Sequence, residues 1–432
     1  MLDNESVTWI DLTDMLVWQG HYTGIQRVTY AYAERYANDG AKFFAYDKVD
    51  DRFLEIDFNI LHGDDAENEE NSDAMLFRSR LRQLLGMPYY ALPDKYRSGL
   101  RPFVDLANHA TRSALDKIAP APHLPSPYRH LPTAAFNKDD TVVLIGAGWN
   151  EDVVLRKLCE IKKTAGIRIS QHINDILPIY QPQLFADELP KKFTPYVYMA
   201  AKNADVITVI SKATKRDLEI FCKEKKLREP VIEVIRLGDD AKPSKAKKPA
   251  IIPDDCKFIL SVGTFEIRKN YTLLYQAVKL GQLEGRELPK IIIAGRQGWL
   301  TSDLAHVLKT DPFVKEHITW LNNVKDEELA WLYQNCMFTV FPSLAEGWGL
   351  PVVESLQNGK FCLTSGVSSM LEIGDGLIDY FLPYDSREVL EKITYYLVDD
   401  RYKAMNGKIE KTYKPFTWDE SYLQFRDGIA KR

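Results

Sequence analysis

At 432 residues the chain is too long for one ordinary hydrophobic core and suits two domains of typical size. Apolar residues at 45%, charged residues at 27% and a formal net charge of −5 describe a globular protein with no basic excess to draw in nucleic acid. Five scattered cysteines (Cys159, Cys222, Cys256, Cys336 and Cys362) have no C-x-x-C spacing, so they indicate neither a disulfide framework nor a zinc site and predict a reducing, cytoplasmic compartment.

The segment from Met1 to Ser6 lacks the basic and apolar regions of a secretory signal, so no export is expected. Runs such as Thr141 to Ile145 and Lys290 to Ala294 have strand length, far short of the roughly 20 apolar residues of a spanning helix. Short apolar runs alternating with helix-length intervals are the pattern of βα units that build parallel sheets. Val7 to Ile10, Val142 to Ile145, Ile167 to Ser170 and Val206 to Ile210 predict strands of a first sheet. An acidic run at 64–70 and a basic stretch holding Arg78, Arg80, Arg82, Lys95, Arg97 and Arg101 interrupt the rhythm, and the span of about 63–137 reads as an insertion. The basic residues stand among Leu84, Leu85, Met87, Tyr89 and Tyr90. That suits either a peripheral contact with an anionic membrane surface or, more commonly, a helix packed on its own domain with solvated arginines.

Residues 240–249 carry four lysines, two prolines and no large apolar residue, which predicts a solvated linker between domains. Beyond it, Phe258 to Val262, Ile291 to Ala294, Ile318 to Leu321, Phe338 to Phe341 and Phe361 to Thr364 predict a second doubly wound sheet. The fold class is therefore α/β, with a domain at 1–240, a second at 241–415, and a terminal helix at 416–432.

The segment Glu346-Gly-Trp-Gly-Leu-Pro-Val-Val-Glu354 joins a predicted strand to a helix. Pro351 suits a first helical position and Gly359 the site just past the helix end. The unpaired N–H groups and positive dipole end of such a helix bind phosphate, and Gly347 and Gly349 let an anion approach closely. Glu346 and Glu354 would bracket a diphosphate docked there, each able to accept hydroxyl hydrogen bonds. Spacing alone is better matched by two carboxylates that are simply favoured near a helix start by its dipole.

The whole segment resembles the E-x7-E signature of the retaining glycosyltransferases of family 4, which have the GT-B fold of two Rossmann-like domains facing across a cleft. The resemblance implies that Glu346 contacts the donor sugar and that Glu354 holds the ribose of a nucleotide-sugar donor, with Gly347, Trp348, Gly349 and Leu350 lining the donor. Trp348 stands where phenylalanine is usual. Gly263-Thr-Phe-Glu-Ile-Arg-Lys-Asn270 is similar to the loop after the first strand of that family's second domain, which makes Arg268 and Lys269 ligands of the diphosphate. Fixed cations aimed at a departing diphosphate lower the barrier without a metal, so no metal and no cofactor are expected.

Residues 295–300 and 322–333 resemble the loops beside the nucleotide base, with Asn323 and Val324 as candidate contacts. Arg296 is balanced between such a role and a surface loop, and Glu372, in the pattern of 364–375, reads as structural. In the first domain, Gly24 lies in the glycine-bearing loop that the resemblance places opposite the donor. Ile169-Ser-Gln-His-Ile-Asn-Asp-Ile-Leu-Pro178 resembles the family's strand-end segment and keeps Asp175 as a catalytic candidate. Asn174 departs from that pattern, and His172, two residues earlier, would share its face if the strand persists. Both are candidates on the acceptor side.

The resemblance implies transfer of a hexosyl or deoxyhexosyl unit, with retention, to a glycan or lipid-linked glycan in bacterial polysaccharide synthesis. A sugar-nucleotide epimerase or a glycan phosphorylase is the alternative enzyme class, although no lysine for pyridoxal phosphate can be identified. The Asn174 departure keeps open a glycan-binding protein without turnover. Neither the sugar, the nucleotide nor the oligomeric state is readable from the residues.

Overall fold

The computed structural model describes residues 6–18, 24–62, 130–150, 152–240, 245–374 and 376–431. Residues 63–129 of the insertion, with its acidic and basic stretches, residues 19–23 of the first glycine loop and 241–244 of the linker lie outside that set. The chain divides into two compact units, residues 1–147 with 163–167 and residues 148–162 with 168–432.

In the first unit, β1 (Thr8–Asp11) pairs in parallel with β2 (Lys42–Asp47) on one side and β4 (Thr141–Leu144) on the other, and β3 (Arg52–Ile56) runs antiparallel to β2. The hairpin of β2 and β3 was not among the predicted strands. Its core is aromatic: Phe44 meets Phe53 and Phe136 edge to face at centroid distances of 5.5 and 5.3 Å. The indole of Trp9 donates to buried Asp140, whose other oxygen accepts Val7 N–H at 2.8 Å. Gly24 opens the helix Gly24–Asn38 in this unit and is exposed.

The second unit holds two sheets. In the first, β5 (Arg168–Ile173), β6 (Val206–Val209) and β7 (Val231–Val234) are parallel. The other has six parallel strands: β8 (Phe258–Val262), β9 (Lys290–Ala294), β10 (Ile318–Leu321), β11 (Thr339–Phe341), β12 (Cys362–Ser365) and β13 (Ile378–Phe381), in the order β10-β9-β8-β11-β12-β13. All five predicted strands of this sheet form, within a residue or two. The edge strands β7 and β13 were not predicted, because Val-Ile-Glu-Val and Ile-Asp-Tyr-Phe are too short and too mixed in polarity to show a period.

Chain order reverses between β8 and β11, so the loops leaving those strands lie side by side, and this is where open α/β sheets bind ligands. The terminal helix Trp418–Ile429 starts with a capping box between Thr417 and Glu420 and packs against β6 and β7. It buries Phe425 completely, edge-on to the His172 ring at 5.5 Å. Asp239, itself buried, accepts from Tyr413 Oη and Phe416 N–H, both at 2.7 Å, which ties the approach to that helix to the end of the first sheet. All five cysteines are free thiols. Among the described residues no helix is long and apolar enough to cross a membrane.

Truncating Phe425 to alanine removes a fully buried ring between the terminal helix and β5. The expected cost is about 3–5 kcal/mol, read as a lower urea midpoint for this unit.

Candidate functional site

After β8 the chain makes one 3₁₀ turn, Ile267–Lys269, and enters the helix Tyr271–Leu283 through Asn270, whose backbone is left-handed at φ 56°. The Asn270 amide donates to the carbonyls of Pro342 and Pro383, which locks this turn onto the loop after β11. The adjacency presents Arg268 and Lys269 to Glu346. Arg268 donates to Glu346 Oε2 at 2.5 Å and to Ala345 O at 3.0 Å, and Lys269 Nζ donates to Glu346 Oε1 at 2.6 Å. Arg268 also donates to Glu266 Oε1 at 2.7 Å, so carboxylates and cations alternate through the site.

Glu346 and Lys269 are each 8% exposed and Glu266 is 2% exposed, so these are interior charges. Burial resists the charge on Glu346, but Arg268 and Lys269 outweigh it and hold its carboxyl down at about 2. Glu266 moves the other way: burial raises it, although Arg268 and Lys269 pull it back. Lys269 lies 4.8 Å over the Phe341 ring, and Arg268 stands 5.9 Å from Phe185. Arg268 Nε is buried with no hydrogen-bond partner among the described residues, so one guanidinium donor at the centre of the site is unspent.

The loop after β11 leads into the helix Leu350–Gln357, which carries Pro351 in its first turn. Gly349 precedes it at φ 128°, and a Cβ there would lie 2.5 Å from Met370 Cε, so the position accepts only glycine. Ser368 Oγ donates to Glu346 O at 2.6 Å, and the single Ser369 hydroxyl proton is shared between Glu346 O at 2.9 Å and Trp348 O at 2.7 Å. Trp348 is 8% exposed. Glu354, one turn into the helix, accepts from Tyr333 Oη at 2.9 Å.

The other face of this loop meets the segment after β5. A Cβ on Gly347 would come within 2.8 Å of Asn174 O and 3.0 Å of Asp175 Oδ2, so this glycine permits the contact. Leu177, Leu184, Phe185 and Ala345 form one buried cluster, and the Trp299 indole donates to Leu184 O at 3.0 Å. Asp175 accepts Leu177 N–H at 3.0 Å, capping the short helix Leu177–Tyr180. Burial raises the Asp175 carboxyl, and Arg268 lowers it in part.

Of the residues singled out in the sequence, Arg268, Lys269, Glu346, Gly347 and Asp175 meet in one place. Trp348, Gly349 and Leu350 continue from it to the helix that carries Glu354. Asn323 and Val324 lie on the loop after β10. Asn323 is exposed with φ 57°, and Val324 packs on the core cluster of Leu321 and Leu332. Strand β5 ends at Ile173, so strand alternation is not what relates His172 to Asn174, but the Asn174 side chain lies within hydrogen-bond reach of the imidazole. His172 is 2% exposed, bonded through Nδ1 to Thr208 Oγ1 at 2.9 Å, and burial drives its pKa down to about 4. Arg296 is exposed. The Glu372 carboxylate accepts the N–H groups of Lys212 and Ala213, both at 2.8 Å, and so caps the helix Lys212–Glu224.

Sequence reasoning missed Glu266, Tyr333, Ser368 and Ser369. Only Glu266 carried a local signal, an acidic residue two positions before a candidate phosphate-binding arginine. Among the described residues no group of three or more His, Cys, Asp or Glu side chains is arranged to hold a metal ion.

Residues 243–412 match the family model described as Glycosyl transferases group 1. The chain is 25% identical over 362 residues to the serotype-specific mannosyltransferase WbdA of Escherichia coli, an alignment covering 79% of this chain and 42% of that protein. It is 32% identical over 170 residues to the O-antigen chain mannosyltransferase B of Escherichia coli, covering 39% of this chain and 44% of the relative. The chain thus spans less than half the length of these curated relatives. The crystal structure of Anabaena Alr3699/HepE in complex with UDP superposes with a TM-score of 0.58 at 14% identity, over 98% of this chain and 99% of that one. The fold is GT-B, with parallel-sheet, Rossmann-like α/β domains.

Glu346 titrates far below the ordinary carboxyl value of 4.5, so its ion pairs stabilise the fold fully above about pH 4.5 and are lost as the pH falls through about 2. Replacing Lys269 with methionine leaves a buried carboxylate with one cation. It should cost about 3–5 kcal/mol and move acid unfolding, followed by circular dichroism, to higher pH.

Proposed function

We propose that this chain is a retaining glycosyltransferase that moves a hexosyl unit, mannosyl first among the candidates, from a nucleotide sugar to a glycan or lipid-linked glycan acceptor in O-antigen synthesis. The observation that carries the reading is the pair of cations after β8, buried Lys269 and half-buried Arg268, set against the loop after β11 and beside the N-terminus of the helix Leu350–Gln357, with Arg268 Nε unspent. A diphosphate is the ligand that matches two fixed cations and a helix start together. The match of 243–412 and the mannosyltransferase names of the relatives support the same reading.

In this reading the diphosphate engages Arg268 and Lys269, and the Glu346 carboxylate turns its acceptor capacity to the sugar hydroxyls. Lys269 has three N–H donors and spends one on Glu346, so it can hold carboxylate and phosphate together. The acceptor hydroxyl oxygen bonds to the anomeric carbon as the bond from that carbon to the diphosphate oxygen breaks. The hydroxyl proton passes to the departing diphosphate on the same face, which gives retention. Arg268 and Lys269 stabilise the charge that develops there, and this chain's own cations supply that stabilisation without a metal. Gly347 admits close contact of its loop with Asn174 and Asp175, and in this reading the Asp175 carboxylate would stand beside the reacting centre. A lipid-linked acceptor would bring the chain to a membrane surface, and the basic stretch from Arg78 to Arg101 is the part of the sequence suited to anionic headgroups.

The test is a panel of UDP-, GDP- and dTDP-hexoses offered with bacterial glycan acceptors, with the product anomer assigned by NMR. The wild-type chain should transfer a hexose with retention, Glu346→Ala should be inactive, and Arg268→Ala should lose about 10²–10³-fold in turnover. Inversion of the anomer overturns the retaining reading, and full activity of Glu346→Ala overturns the site.

A further inference from the structure

A cavity of about 800 Å³, within the range of small-molecule sites, opens where three segments of the second unit meet. Arg236, Trp348, Glu372, Lys408, Tyr413 and Lys414 line it, and Arg268, Lys269, Glu346 and Glu354 do not. Its cations are held in place from different directions. Arg236 follows β7, donates through Nη2 to Asp239 Oδ2 at 3.1 Å and stands 4.8 Å over the Phe416 ring. Lys408 lies on the helix Arg401–Thr412, and its ammonium donates to Gly376 O at 3.1 Å, which fastens it to the loop before β13. Lys414 comes just past that helix, on a stretch that Asp239 holds through Tyr413 Oη and Phe416 N–H.

The charges do not cancel. Asp239 offsets Arg236, and the Glu372 carboxylate is committed to the N–H groups of Lys212 and Ala213. Lys408 and Lys414 have no carboxylate partner among the described residues. Two donors on the lining residues are orphaned as well: Arg236 Nε and Trp348 Nε1 are buried with no hydrogen-bond partner among the described residues. A buried donor without an acceptor costs free energy and asks for a cause. A helix C-terminus favours cations by itself, but that accounts neither for the bond from Lys408 to Gly376 nor for the two orphaned N–H groups. The hydroxyls of Tyr380 and Tyr413 are already spent on Ile373 O and Asp239 Oδ2, so the open capacity is chiefly that of cationic donors. The matching ligand group is an anion rich in acceptors, which is phosphate. The cavity has roughly 25 water volumes of space, more than one phosphate fills. Thr412 Oγ1, which donates to Lys408 O and can still accept, the Tyr413 ring and Val353 line it too, a mixture suited to the hydroxyls and apolar face of a sugar. We infer that this cavity is a second ligand site, which takes a phosphate-bearing sugar and holds its phosphate with Lys408, Lys414 and Arg236. It shares none of the charged residues of the proposed donor site and does not depend on that reading.

The experiment is calorimetric titration of the full chain with glucose 1-phosphate, glucose and inorganic phosphate, and with phosphatidylcholine vesicles that contain or lack phosphatidylglycerol. The variants are Lys408→Gln with Lys414→Gln, Lys408→Arg with Lys414→Arg, and Arg268→Ala. Both lysines are exposed, so the paired changes leave the interior alone. Glucose 1-phosphate should bind the wild type at least about 10-fold more tightly than glucose or inorganic phosphate, and the glutamine pair should weaken it at least about 10-fold. The arginine pair keeps both charges and should bind within about threefold of the wild type, and Arg268→Ala, which alters the donor site alone, within about twofold. No binding of glucose 1-phosphate at millimolar concentration, or equal binding by the wild type and the glutamine pair, overturns the inference. So does loss of binding in Arg268→Ala, which puts the ligand in the donor site. Equal affinity for inorganic phosphate and glucose 1-phosphate leaves an adventitious ion only and overturns the sugar. Lysine-dependent capture of the phosphatidylglycerol vesicles without binding of glucose 1-phosphate makes the phosphate that of a lipid headgroup and overturns it equally. An arginine pair as weak as the glutamine pair removes the role of the two charges.

Discussion

The structure turns on the Glu346 carboxylate held between Arg268 and Lys269, two cations delivered by a different strand. A buried carboxylate is expensive unless its oxygens are paired, and each oxygen here has its own cation. That requirement explains why the loops around it are so heavily tied down. Asn270 bonds two proline carbonyls, Ser368 and Ser369 grip the Glu346 carbonyl, and Gly349 takes a backbone conformation that only glycine tolerates. Each tie fixes a group whose displacement would leave an unpaired charge in the interior.

The same pairing sets the charge of the site. Two cations shared among Glu346, Glu266 and the nearby Asp175 leave no net positive charge in the free protein, so under the proposed function a diphosphate would compete with the site's own carboxylates rather than enter a bare basic pocket. Arg268 can meet that competition because its guanidinium is partly unspent, and Lys269 because its ammonium has more hydrogens than partners. The segment after β5 reinforces the arrangement. Phe185 and Leu184 pack on Ala345, and Asn174 and Asp175 press on Gly347, so the loop after β11 has a wall that is not part of its own sheet.

Much of this was legible in the sequence where the signal was contiguous. The nine residues from Glu346 to Glu354, shortly after β11 ends at Phe341, contain a tight loop, a helix start and two carboxylates, and Arg268 and Lys269 stand together in one loop. The strands of the second sheet were readable because buried parallel strands are unbroken apolar runs. The edge strands β7 and β13 and the hairpin of β2 and β3 were harder to see. Their polarity is mixed by position, and pairing with a neighbour rather than local pattern makes them strands. His172 is instructive in another way. Its companionship with Asn174 does not come from strand alternation, because β5 stops at Ile173, and the buried imidazole meets Thr208 and Phe425 as well as the Asn174 side chain.

The sequence by itself determined the α/β alternation, the helix start at Leu350 and the identity of the charged residues around it, because each depends on neighbours a few positions apart. Only the tertiary structure decided that Glu346 pairs with a lysine 77 positions away, that Glu266 joins the same charge network, and that Tyr333 holds Glu354. The reason is topological. β8 and β11 are distant in sequence and adjacent in the sheet, and no local rule of composition or periodicity records which strands will lie side by side.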